Sequence, residues 1–148
     1  MYRSLLGTVV TLTVAMVLCI GPTQATAKVN NAEKKIVLQI SDGGAKKQTL
    51  VLNVANNLIK HYGLDNVKLE IVAFGPGLRL LFEDNTNKTR IQSLSASGVQ
   101  FAACQNTTHK MTKILGHKPD LSEFAMPVKA GVARIIELTE QGYTLIRP

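Results

Sequence analysis

The residue of this chain with the most reactive side chain in the most suggestive place is Cys104. It closes a β-rich run, Val99-Gln100-Phe101-Ala102-Ala103, and is followed by Asn106 and Thr107, either of which suits the N-cap of a next helix. A thiolate beside a helix amino end meets unpaired backbone N–H groups and the positive end of the helix dipole, and both favour the charged form of the thiol. Donors at Asn106, Thr107 and Thr108 would equally hold a persulfide anion, whose terminal sulfur also carries negative charge. The competing reading is a buried, inert cysteine, since free Cys behaves as a small hydrophobe.

Two other loops follow β-rich runs, Ser41-Asp42-Gly43-Gly44 and Phe74-Gly75-Pro76-Gly77. Their glycine pairs let backbone approach a ligand or another loop closely. Gly75 and Gly77 are expected to line a pocket with Cys104, although Gly75-Pro76-Gly77 also has the composition of a rigid turn. The Ser41–Gly44 loop lacks the Walker and the dinucleotide glycine spacings, so no cofactor is expected there. His61, His109 and His117 have no metal-ligand spacing, and no metal site is expected. His109, five residues beyond Cys104, is expected in solvent rather than as its base. Asn87-Lys88-Thr89 and Asn106-Thr107-Thr108 match the glycosylation sequon.

The elements that must position these loops alternate along the chain. Lys35–Ile40 is a short apolar strand. From Gln48 the period changes, with Leu50, Val51, Val54, Ala55, Leu58, Ile59 and Tyr62 on one helical face and Gly63 as the stop. Val67–Ala73 is a second strand, Leu78–Phe82 a short helix, and Ile91 and Leu94 mark a helix that Gly98 ends. After the strand that Cys104 closes, Thr107–Leu115 is helical. A brief fourth strand surrounds Phe124-Ala125-Met126, the run Val132, Ile135, Ile136, Leu138 is the last helix, and Tyr143–Ile146 is a final strand. Such alternation predicts an α/β domain with a largely parallel sheet covered on both faces. In that architecture ligands bind where loops leave the carboxyl ends of the strands.

Residues 1–27 have the features of a secretory signal peptide. Arg3 supplies the positive start, Leu5–Ile20 is an uncharged run of 16 residues, Gly21-Pro22 breaks it, and Ala25-Thr26-Ala27 offers a cleavage site. The run is shorter than the roughly 20 residues that span a bilayer, so an uncleaved anchor is the weaker reading. Cleavage leaves one domain, residues 28–148, without a membrane anchor and expected in the periplasm. Removal of Arg3 lowers the formal charge from +7 to +6. Such a surface draws small anions.

Cys19 leaves with the leader, so Cys104 is then the single thiol of an exported domain. It must be buried and inert, paired between chains, or chemically used. Two Cys cannot form a four-thiolate zinc site, and the absence of Trp with few aromatics argues against a nucleic-acid stacking platform. Peroxide sensing through a sulfenic acid would need the same low pKa but usually a resolving Cys, which the mature chain lacks.

Asn53–Lys60, Val72–Leu78, Gly98–Thr107, Pro127–Val132 and Glu140–Pro148, in that order, resemble the DsrE/DsrF-like family of small sulfur-relay proteins. The likeness runs from about Lys35 to Pro148. It implies a three-layer α/β sandwich of the flavodoxin-like kind, with a five-stranded, mainly parallel sheet, and assembly into homotrimers or hexamers. It also implies that Cys104 accepts sulfane sulfur as a persulfide and passes it between a donor and an acceptor protein. The export signal departs from the cytoplasmic relay members. The alternative expectation is a non-catalytic oligomeric binding or scaffold protein with Cys104 packed at an interface.

Overall fold

The computed structural model describes residues 33–148. The expected signal peptide, Cys19 and the cleavage site lie outside the described residues. The elements are β1 (Lys34–Ile40), α1 (Ala45–Tyr62), β2 (Val67–Ala73), α2 (Lys88–Ala96), β3 (Gln100–Cys104), α3 (Gln105–Leu115), β4 (Ala125–Val128), α4 (Gly131–Glu140) and β5 (Thr144–Ile146). Two short 3-10 helices, Leu64–Asn66 and Gly75–Leu81, lie in the connections on either side of β2.

All four ladders are parallel and the strand order is β4-β3-β2-β1-β5. This is the five-stranded α/β sandwich expected from the alternation, with a sheet parallel throughout. The period of two along each strand sorts side chains to opposite faces. Ile36, Leu38 and Ile40 of β1, Leu69 and Ile71 of β2 and Phe101 of β3 point into the larger core. There they meet Val51, Leu52 and Ala55 of α1, Leu78, Leu80 and Leu81 of the Gly75–Leu81 helix, and Ile91 and Leu94 of α2, with Met111 of α3 packed on the margin. Val37, Val72 and Ala102 point the other way, onto Ile135 and Leu138 of α4.

The two outer layers are therefore unequal: α1, α2 and α3 on one face, α4 on the other. Leu145 of β5 pairs in register with Val37, and Met126 of β4 with Ala102, so both lie on the α4 face. A single helix does not cover the outer strands there, and both side chains are exposed.

Glu70 also lies on the α4 face and is buried, 1% exposed. Arg134 of α4 grips it in two parallel bonds of 2.8 Å, Nε donating to Oε1 and Nη2 to Oε2. That pair raises the Arg134 pKa further above its ordinary value. A fork-on-carboxylate pair fixes direction as well as distance, so it sets how α4 lies on the sheet. The expected consequence is that Glu70→Gln, which leaves the guanidinium only the exposed Glu137 carboxylate at 3.6 Å, costs about 3 kcal/mol in urea unfolding. Glu70→Leu with Arg134→Leu should cost clearly less than the sum of the two single changes. A Glu70→Gln penalty within about 0.5 kcal/mol of zero, the range of ordinary surface changes, would show that the pair does not fasten the helix.

Candidate functional site

Because every strand runs the same way, β1 to β4 deliver their carboxyl ends, Ile40, Ala73, Cys104 and Val128, to one edge of the sheet. The three loops singled out in the sequence meet there. Phe74 N–H donates to the Ile40 carbonyl at 3.1 Å, and Asn106 N–H donates to the Lys129 carbonyl at 3.4 Å. Gly75 N–H donates to Thr107 Oγ1 at 2.9 Å. Gly43 lies so close to Pro76 that a Cβ there would sit 2.9 Å from the Pro76 carbonyl oxygen.

Cys104 is the last residue of β3 and itself the N-cap of α3, with φ −67° and ψ 114°. This corrects the expectation that Asn106 or Thr107 would cap the helix. The correction matters chemically, because an N-cap side chain points at the N–H groups two and three residues on, here Asn106 and Thr107. The side chain makes no capping hydrogen bond, and the nearby donors act on it as fixed positive ends that favour the charged form.

Burial, at 5% exposure, pushes the Cys104 thiol up. The Thr107 hydroxyl, then the N–H groups of Thr107, Gly131 and Asn106, push it down, and the balance lies below the ordinary thiol value. Since the Thr107 hydroxyl oxygen accepts from Gly75 N–H, its own hydrogen is left for the sulfur. Asn106 N–H, shared with the Lys129 carbonyl, has the smallest effect.

Gly131 is the functional residue that the sequence reading missed. It is the first residue of α4, so a second helix amino end faces the sulfur. Its missing side chain makes room for Phe74, whose Cβ and Cδ1 would stand 3.0 Å from a Cβ placed there. The available signal was position: Gly131 opens the amphipathic run Val132, Ile135, Ile136, Leu138 directly after the fourth strand.

Two expected residues are placed elsewhere. Thr108 is buried, and its hydroxyl donates back to the Cys104 carbonyl at 3.1 Å, one helical turn earlier, rather than to the sulfur. Gly77 packs on the end of β1. A Cβ there would lie 2.6 Å from the Ile40 carbonyl carbon and 2.9 Å from Ser41 Cα, so this glycine serves loop-on-strand packing. Gly75, at φ +53°, does stand beside Thr107. His109 is exposed, and no group of metal-ligating side chains occurs among the described residues.

The arrangement can keep a sulfur anionic without a neighbouring base or metal. Three N–H groups at two helix amino ends and one hydroxyl offset the penalty that burial puts on the charged form.

No family model matches the sequence, and no curated protein is found similar to it. Among solved structures, a protein of unknown function, MTH1491 from Methanobacterium thermoautotrophicum, is similar with a TM-score of 0.69 at 28% identity. The match covers 78% of this chain and 100% of that one. The α/β architecture is thus shared with a complete solved chain, and its printed description assigns no activity.

Two outcomes follow for the thiol. Thr107→Val removes the hydroxyl and should slow reaction with methyl methanethiosulfonate at neutral pH by about tenfold, the worth of one hydrogen bond to a charged group, while Thr107→Ser keeps most of the rate. Equal rates for all three proteins would show that the hydroxyl does not act on the sulfur. Stability should also depend on pH in one direction. The thiol pKa is lowered on folding, so the thiolate adds stability above the unfolded value, and that stability is lost as pH falls through the folded value. The melting-temperature difference between wild type and Cys104→Ser should therefore grow with pH between those two values and stay flat below them.

Proposed function

We propose that this protein is an exported sulfur carrier of the DsrE/DsrF-like kind, in which Cys104 holds sulfane sulfur as a persulfide. The observation that carries the reading is a nearly buried thiol whose surroundings favour its anion, through the Thr107 hydroxyl and the N–H groups of Thr107, Gly131 and Asn106. The cleaved chain, at +6, attracts anionic sulfur species. The export and the family membership rest on the sequence features given above.

In the loading step the Cys104 thiolate attacks a sulfane sulfur of a polysulfide. One S–S bond forms, one breaks, and the electron pair leaves on the shortened polysulfide, so no outside oxidant is needed. The terminal sulfur of the persulfide carries the negative charge and takes over the same donors. Unloading is attack on that terminal sulfur by an acceptor thiolate, which returns the Cys104 thiolate.

The reading includes self-association as a homotrimer or hexamer. Val132 and Ile136, one turn apart on the outer side of α4, are 57% and 53% exposed, and Met126 and Leu145 flank them on the same face. The same burial and the same apolar face favour a second reading, a non-catalytic oligomeric scaffold with Cys104 packed at an interface.

Reduced protein mixed with polysulfide should gain the mass of one sulfur, reversibly by dithiothreitol, and Cys104→Ser should gain none. A small thiol reagent should label the native protein at neutral pH, and a bulky aromatic disulfide should label it far more slowly. No sulfur adduct in wild type, together with labelling by the small reagent only after unfolding, overturns the carrier reading in favour of the scaffold.

A further inference from the structure

A second concave site adjoins Cys104 and shares Gly75 and Thr107 with its surroundings. The Gly75–Leu81 helix and α3 run alongside each other, and between them is a groove of about 320 Å³, within the range of small-molecule sites. Phe82, Met111, Ile114 and Leu115 give it apolar walls, and Arg79 and Lys110 add two cations. No carboxylate lines it. Neither cation takes part in an ion pair among the described residues.

Spacing along α3 gives the groove its length. Thr107, Lys110, Met111, Ile114 and Leu115 fall three or four residues apart, so they form one stripe of the helix. From Thr107 to Leu115 that stripe is ~12 Å long, which an aliphatic chain of about eight carbons spans. One end is closed by the Gly75–Thr107 hydrogen bond. The other end is open, where Ile114 is 71% and Leu115 47% exposed. Ile114 is the most exposed of the large apolar side chains among the described residues, and with Leu115 it leaves an apolar patch at the mouth of the groove.

We propose that this groove binds a small amphipathic anion: an apolar body of about eight carbons laid along Met111, Ile114 and Phe82, with a single carboxylate held by Arg79 and Lys110. Charge complementarity selects this occupant. Two unpaired cations and no acid among the lining residues favour an anion, and the apolar walls reject an anion that has no hydrocarbon to offer. The site does not depend on Cys104 carrying sulfur, because none of its lining groups is the thiol.

The probe is octanoate, followed by backbone amide NMR shifts on the purified protein, with 1-octanol and acetate as comparisons. Octanoate should give saturable shifts confined to residues 75–82 and 107–115, with octanol and acetate each binding several times more weakly. Ile114→Asp places a charge on the wall at an exposed position that folding does not need, and should abolish the saturable shifts. Arg79→Gln with Lys110→Gln should weaken octanoate about fivefold and leave octanol unchanged, the worth of two exposed ion pairs. Equal binding of octanol and octanoate, or indifference to the double change, overturns the anion assignment. If octanoate fails to bind and Ile114→Asp instead lowers the oligomeric state in sedimentation, the groove is covered by a second copy and the proposal is wrong.

Discussion

A sulfur that has lost nearly all contact with water holds a negative charge only where fixed hydrogens replace that water. At Cys104 the replacement comes from backbone that has no other use for its hydrogens. The first N–H groups of a helix have no partner inside the helix, and this fold turns two such sets toward one atom. The constraint that achieves it is the direction of the strands. With every strand parallel, each helix starts at the edge where the preceding strand ends, so α3 and α4 begin beside each other, at Gln105 and Gly131. An antiparallel neighbour in place of β4 would send the start of α4 to the far edge of the sheet and leave Cys104 with the donors of its own helix alone.

Orientation of that second helix is then a matter of sheet chemistry several residues away. Arg134 lies one turn beyond Gly131 and is held by Glu70 in the middle of β2. A buried ion pair contributes little net stability against an apolar alternative, so what it offers here is direction. It fixes the roll and height of α4, with Ile135 and Leu138 seated on Val37, Val72 and Ala102. Phe74 completes the placement at the amino end, because the absence of a side chain at Gly131 lets the ring and the helix start occupy adjacent space. The charge state of Cys104 is thereby tied to a carboxylate that never approaches the sulfur.

Much of this was legible in the sequence, for reasons that differ from residue to residue. The sheet class followed from the alternation of period, and Cys104 was recognisable because a strand pattern ends on it and a helix pattern starts after it. The participation of Thr107 followed from helix geometry once a cap was assumed. The cap was misplaced by two or three residues, since Asn106 and Thr107 are the residue types that usually cap and the strand's last residue took the role instead. Gly131 was invisible as a partner because it reaches Cys104 through tertiary packing, 27 positions away in the chain. The packing role of Gly77 was hidden for a related reason. A glycine announces that backbone comes close, and says nothing about which backbone; here it is Ile40 and Ser41. The backbone N–H of Thr108, expected beside those of Asn106 and Thr107, is not among the groups that act on the sulfur, and the Thr108 hydroxyl donates back to the Cys104 carbonyl one turn before.

The position of Thr107 joins the two sites. Its hydroxyl acts on the sulfur, and its side chain borders the groove between the Gly75–Leu81 helix and α3. The hydroxyl's direction is not its own choice, because Gly75 N–H occupies the oxygen at 2.9 Å and leaves the hydrogen to point elsewhere. Gly75 can make that bond in a backbone conformation, φ +53°, that side chains rarely allow. Any movement of the Gly75–Leu81 helix relative to α3 that lengthened the bond would free the hydroxyl to rotate, and the sulfur would lose the strongest of the donors offsetting its burial. The turn and the thiol thus share one group, the Thr107 hydroxyl, which Gly75 orients and Cys104 uses.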